Sequence, residues 1–195
     1  MIVLGLTGSM AMGKSTTAAM FRARGLPVHD SDRTVHRLYR GAAVEPIEAA
    51  FPGVTEDGEV DRRKLGAALA GDFTRLKRLE AIVHPLVRAE TVRFAEAAAQ
   101  KNARAILLDI PLLFETGAQK WMDVVIVVST TPEIQRQRVL ARRGMTEELF
   151  AKLLARQIPD AQKRLGAHFV IDTGHGLEAA ERDVGAILKT VATMG

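Results

Sequence analysis

The clearest chemistry in this chain lies in Gly8-Ser9-Met10-Ala11-Met12-Gly13-Lys14-Ser15, followed directly by Thr16. A glycine-bounded loop of this length turns backbone N–H groups inward, where they hold anionic oxygens. Gly8 and Gly13 are expected to supply the unusual dihedrals that the turn demands at its two ends. Lys14 adds a point charge suited to β- and γ-phosphates, and the Ser15 hydroxyl is a hard oxygen ligand suited to Mg²⁺. The plainer alternative is a chance turn with an exposed lysine. Context argues against it: the apolar run Ile2-Val3-Leu4-Gly5-Leu6 predicts a buried strand before the loop, and residues 15–22 predict a helix after it. Strand, loop and helix in this order form the P-loop pattern. Gly8, Ala11, Met12, Gly13, Lys14, Ser15 and Thr16 therefore read as a nucleoside-triphosphate site.

Other residue types bear on what is done with the triphosphate. Asp30 and Asp32 follow the short run Leu26-Pro27-Val28-His29, a second strand whose end opens on the same crevice as the P-loop. A carboxylate there suits a base that takes the proton of an attacking hydroxyl, although helix capping is the other common duty of aspartate. Asp109 ends the apolar run 105–108 and is a further candidate for organising Mg²⁺, with a structural cap again the alternative. Arg138 and Arg142 stand four residues apart, which predicts one shared helix face directed at phosphates. Gly144 breaks that helix, as the hinge of a lid over residues 135–160 would. His84-Pro85 kinks or breaks a long helical pattern, and a histidine there is more often a packing residue than a catalyst.

The elements that must position these residues are those of one α/β domain over residues 1–195: a P-loop NTPase-type parallel sheet flanked by helices. Residues 124–128 are Val-Val-Ile-Val-Val, a central parallel strand buried on both faces. Thr131-Pro132-Glu133 starts a helix with proline at its first position, and residues 168–172 form a last strand. Apolar residues at helical spacing from Leu177 to Val191 close the chain. Residues 33–104 show helical patterns and no clear strand, and are expected to form a helical insertion walling an acceptor site. Asp61 is placed to cap a helix carrying Leu65 and Leu69.

Composition narrows the partners. The chain has 195 residues, no cysteine, 47% hydrophobic content and a net charge of +4. Disulfides and thiolate zinc sites are excluded, and a cytoplasmic setting is expected. No apolar run has the length of a bilayer span, and no signal peptide is expected. Basic residues are dispersed outside the arginine segment, and aromatic content is 5%. That favours small anionic ligands over nucleic acid.

Taken together, the blocks resemble the dephospho-coenzyme A kinase family over essentially the full length. They include Gly5-Leu6-Thr7-Gly8 entering the loop, Asp30-Ser31-Asp32, residues 61–65, residues 79–85, residues 110–115, Gln135 to Arg138, Arg142, Gln157 and Val170-Ile171-Asp172. The resemblance implies ATP-dependent phosphorylation of the ribose 3′-hydroxyl of dephospho-coenzyme A, with ATP and dephospho-coenzyme A as partners and Mg²⁺ as cofactor. It implies Asp32 as base, Lys14 and Ser15 serving ATP and Mg²⁺, and Arg138 and Arg142 reaching phosphates from an arginine-bearing lid. On the acceptor side it implies Asp32, His84, Pro85, Leu113, Phe114 and Glu115. Two departures stand out: Ser9, Ala11 and Met12 replace the small residues usual within the loop, and Thr173 follows Asp172 where the family has asparagine. Were residue 11 to need a positive φ, Ala11 would cost stability or nucleotide affinity.

Two rivals differ in testable ways. A nucleoside or nucleotide kinase shares the loop and lid but takes another acceptor. A guanine-specific switch carries an Asn-Lys-x-Asp element after a strand, where this chain has Ser129-Thr130-Thr131-Pro132.

Overall fold

The computed structural model describes residues 1–194; residue 195, the last of the expected domain, lies outside the described residues. The chain divides into two compact units, residues 1–29 with 98–195, and residues 30–97.

The first unit is built on a sheet of five strands. These are β1 (Ile2–Thr7), β2 (Val28–Asp30), β5 (Ala105–Asp109), β6 (Val124–Ser129) and β7 (Phe169–Asp172), in the order β2-β5-β1-β6-β7. β1 pairs in parallel with β5 on one side and β6 on the other, and β6 pairs in parallel with β7. The run of β-branched residues in β6 is explained by burial of every one of its residues. Its two faces separate by the two-residue period of a strand. Val124, Ile126 and Val128 join a core with α1 (Lys14–Ala23) and α9 (Leu177–Ala192). Val125 and Val127 face the opposite way, against Leu113, Phe114 and Ala167. Residues 1–29 do not place their two strands side by side, because β5 lies between β1 and β2.

Between β6 and β7 run α6 (Pro132–Leu140), α7 (Glu147–Leu154) and α8 (Asp160–Leu165). Pro132 and the Thr131 side chain start α6 as the sequence predicts, with Thr131 Oγ1 accepting from Ile134 N–H at 3.4 Å. The Thr146 hydroxyl caps α7 in the same way.

The second unit is mostly helical: α2 (Ser31–Leu38), α3 (Val44–Ala50), α4 (Arg62–Leu69) and the larger part of α5 (Phe73–Gln100). Its core gathers Leu38, Ile47, Phe51, Leu65, Leu79 and Val83. Asp61 caps α4 as expected, accepting from Arg63 and Lys64 N–H at 2.8 and 3.1 Å. Two expectations are corrected. Residues 55–60 form a small antiparallel hairpin, β3 (Thr55–Glu56) and β4 (Glu59–Val60), instead of a strandless excursion. β3 and the turn before it are held by Glu48 of α3, which takes hydrogen bonds from Gly53 N, Thr55 N and Thr55 Oγ1. Those bonds hold the Glu48 carboxyl below the usual carboxylate range. Secondly, α5 is a single 28-residue helix with Pro85 inside it, so of the two alternatives, kink or break, the break is excluded. A proline removes one N–H donor, and the many remaining turns of so long a helix carry it through.

Candidate functional site

The loop between β1 and α1 has its expected purpose written in how α1 begins. The N-cap of α1 is Gly13 at φ 92, with no side-chain cap and no acidic residue in the first turn. By contrast α2, α4, α6 and α7 each have a side chain accepting from their first N–H groups, and the uncapped α3, α8 and α9 each carry an acidic residue in the first turn. The uncapped donors of α1, with the positive end of its dipole, leave an anion-binding terminus.

The two glycines are required for different reasons. Gly13 needs its left-handed φ, and a Cβ there would also meet Thr173 Cγ2 at 3.0 Å. Gly8 is not left-handed, which corrects the dihedral explanation. A Cβ on Gly8 would come within 2.4 Å of Val128 Cγ2 and 2.6 Å of Val128 O, so close approach to β6 excludes any larger residue.

Ala11 does adopt a positive φ, 61°. It is the third residue of a turn closed by Met12 N–H on Ser9 C=O at 3.2 Å. An L-residue with a Cβ in this region costs about 1–2 kcal/mol. Ala11→Gly is therefore expected to raise stability by about 1 kcal/mol after the extra chain entropy of glycine is counted. Urea unfolding reads the effect as a higher midpoint at unchanged slope. An unchanged or lower midpoint refutes it. Met12 is buried in the main core, so only its backbone is available to a ligand. Ser9 is buried as well, and its hydroxyl has no hydrogen-bond partner in the protein.

Lys14 Nζ lies 2.5 Å from Asp109 Oδ1, with side chains 15% and 4% exposed. The pair joins the start of α1 to the end of β5. Ser15 and Thr16 are exposed on the first turn of α1.

Asp30 and Asp32 part company. Asp30 is the N-cap of α2, its Oδ1 accepting from Arg33 N–H at 2.9 Å, so its even choice between cap and catalyst resolves to cap. Asp32 sits in the first turn of α2 with its side chain exposed and outside the capping arrangement.

The arginines differ from expectation. Arg138 is on α6, but α6 ends at Leu140 and Arg142 lies in the turn beyond it. The four-residue spacing therefore gives no shared helix face. Gly144 is left-handed and lies in the turn that follows, past the end of α6. Arg138 is firmly held: Nη1 donates to Thr173 Oγ1 and Nη2 to Thr173 O, each at 2.8 Å. Thr173 Oγ1 in turn donates to Met12 O at 2.9 Å. The family departure at Thr173 is thus a junction between the arginine helix and the P-loop.

The apolar loop after β5 is also corrected. Leu113 is fully buried in the core and lines no surface. Phe114 is half-buried, its ring packed so closely on Gly166 that a Cβ there would lie 2.6 Å away. Glu115 Oε1 accepts from Ile158 N–H at 2.9 Å and pairs with the fully buried Lys163 at 2.8 Å. Glu115 Oε2 is buried too, so this carboxylate is an internal anchor for the approach to α8, not an open acceptor ligand. His84 and Pro85 are exposed on α5, which overturns the packing alternative for His84.

Sequence reasoning passed over the two glutamines as site residues. Gln135 Nε2 donates to Met10 O at 2.8 Å, and Met10 N donates to Gln157 Oε1 at 3.1 Å. The signal available was their position, one near each end of the arginine segment.

No group of three or more His, Cys, Asp or Glu residues among the described residues is arranged to hold a metal ion. No helix among them is long and apolar enough to cross a membrane.

Comparison with known proteins places the whole chain. The family model for dephospho-CoA kinase matches residues 2–178. The dephospho-CoA kinase of Mesorhizobium japonicum is 60% identical over 188 residues, spanning 96% of this chain and 95% of that protein. That of Agrobacterium fabrum is 57% identical, spanning 97% of each. Among solved structures, a Thermus thermophilus protein superposes with a TM-score of 0.85 at 36% identity, covering 97% of both chains. A shikimate kinase from Acinetobacter baumannii shares the fold at a TM-score of 0.53 and 21% identity, over 99% of this chain and 94% of its own. With the family model spanning most of its length and curated relatives at this identity, the chain belongs to the dephospho-CoA kinase family.

Proposed function

We propose that the chain transfers the γ-phosphoryl group of ATP to the ribose 3′-hydroxyl of dephospho-coenzyme A, giving coenzyme A and ADP, as the last step of coenzyme A synthesis in the cytoplasm. The observation that carries this reading is the uncapped start of α1 with Lys14 beside it, in a chain of this family.

Each residue then has a distinct duty. The backbone of residues 8–16 and Lys14 hold the triphosphate, and Asp109 holds the Lys14 ammonium in place. The donor set suits Mg²⁺, which keeps several waters and takes one or two protein oxygens alongside phosphate oxygens instead of needing a protein cage. With Asp109 Oδ1 committed to Lys14, Ser15 is assigned as the protein's ligand to the ion. When bound, Mg²⁺ neutralises charge on the phosphate oxygens. Asp32 takes the proton of the attacking hydroxyl, a duty left to it because Asp30 is spent on the α2 cap. Residues 33–104 supply the acceptor wall, with His84 and Pro85 on α5 among its residues. The segment 135–160 acts as a lid: Arg138 is fixed close to the loop through Thr173, and Arg142 in the following turn reaches the transferred group on closure. Closure of such a segment keeps water from the triphosphate.

The test is an acceptor panel. With MgATP, ADP release is expected to depend on dephospho-coenzyme A. Release driven only by nucleosides or nucleoside monophosphates refutes the reading.

A further inference from the structure

The backbone of Met10 is held from both sides, and the two bonds have opposite polarity. Met10 C=O can only accept, so Gln135 must present its NH₂; Met10 N–H can only donate, so Gln157 must present its carbonyl. Gln135 is 4% exposed on α6, and Gln157 is half-buried in the stretch after α7. Burying a glutamine amide against one carbonyl is unusual enough to require a reason.

The reason lies in the next residue. A trans peptide is planar, so the C=O of Met10 and the N–H of Ala11 point in opposite directions. Whatever fixes the first fixes the second. Rotating this peptide interconverts turns whose third residue has positive φ with turns whose third residue has negative φ. For Ala11 at φ 61 the rotated form is the relaxed one, whereas a glycine has little preference. The strained form therefore needs an external hold, and the Gln135 amide is on the carbonyl that supplies it.

We propose that Gln135 is a positioning residue of the phosphate loop. Its amide locks the peptide between Met10 and Ala11 so that Ala11 N–H keeps its place in the anion cradle, while Gln157 holds the preceding peptide. This rests on the loop being a phosphate site. Gln135 matters in this chain because residue 11 is alanine, and the bond also makes α6 and the loop move together.

The test reads ATP affinity by calorimetric titration, alongside a thermal melt for each variant. Gln135→Leu is expected to weaken ATP binding about 5-fold, the worth of one lost hydrogen bond. Adding Ala11→Gly is expected to bring the loss from Gln135→Leu below about twofold, since the strained residue is gone. Gln157→Leu, which frees a different peptide, is expected to lose about 5-fold with or without Ala11→Gly. Gln135→Glu and Gln157→Glu place the same charge on either side of Met10, but only the latter keeps an acceptor facing N–H. Gln135→Glu is therefore expected to bind ATP about 5-fold more weakly than Gln157→Glu. A packing role alone treats these pairs alike.

Wild-type affinity in Gln135→Leu, or an equal loss with and without Ala11→Gly, overturns the proposal. Should Gln135→Leu not fold, the two glutamate variants decide: a 5-fold ratio supports the positioning role and equal affinities overturn it. Wild-type protein that binds ATP but transfers nothing to dephospho-coenzyme A sinks the acceptor assignment and leaves this inference standing. Failure of the wild type to bind ATP sinks both.

Discussion

Lys14→Met is expected to lower kcat with ATP and dephospho-coenzyme A by about 10²–10³-fold, the usual cost of removing one preorganised charge from a transferring group. It should also weaken the fold. Lys14 neutralises Asp109, whose side chain is 4% exposed, and removing one member of a buried ion pair costs about 3 kcal/mol or more. The two losses separate in the double variant Lys14→Met with Asp109→Asn. Removing both charges is expected to recover most of the stability, measured by urea unfolding, while kcat stays low. A Lys14→Met protein within tenfold of wild-type kcat (about 1.4 kcal/mol on the barrier) contradicts the phosphate-holding role assigned to this residue.

Asp32→Asn is expected to cost about 10²–10⁴-fold in kcat, the range for loss of a general base, with ATP affinity unchanged. Stability should barely alter, because the α2 cap is provided by Asp30 and not by Asp32. Asp30→Ala is the control. It removes the acceptor of the Arg33 N–H bond and should cost about 1 kcal/mol of stability. If Asp32→Asn retains wild-type turnover, the proton must leave the hydroxyl by another route, and the assignment of Asp32 fails.

Much of the nucleotide side was legible because it depends on local order. The strand, the glycine-bounded loop and the following helix are contiguous, and their chemistry follows from residue type and spacing. The apolar runs of β5 and β6 likewise announce buried strands without reference to the rest of the chain. What local order could not supply is the identity of distant partners. Gly8 looks like a turn glycine until Val128 is seen pressed against it. Residues 55–60 look strandless for a different reason: β3 and β4 are two residues each, too short to show an alternating pattern. The four-residue spacing predicts a shared face for Arg138 and Arg142, but α6 ends between them. Glu115 looked like an open carboxylate at a loop end, whereas its partners Ile158 and Lys163 come from more than forty residues later. Asp30 and Asp32 are the same residue type two positions apart, and only the cap geometry distinguishes them.

The position of β1 in the sheet has a consequence for motion. β1 is bonded to β5 and β6 along both edges, so the strand that launches the phosphate loop has no free side from which to fray. Its amides belong among the slowest to exchange with deuterated solvent, released only when the whole first unit opens cooperatively. The anchorage of the loop is therefore as durable as the fold, and loosening of the outer strands β2 or β7 should leave it in place.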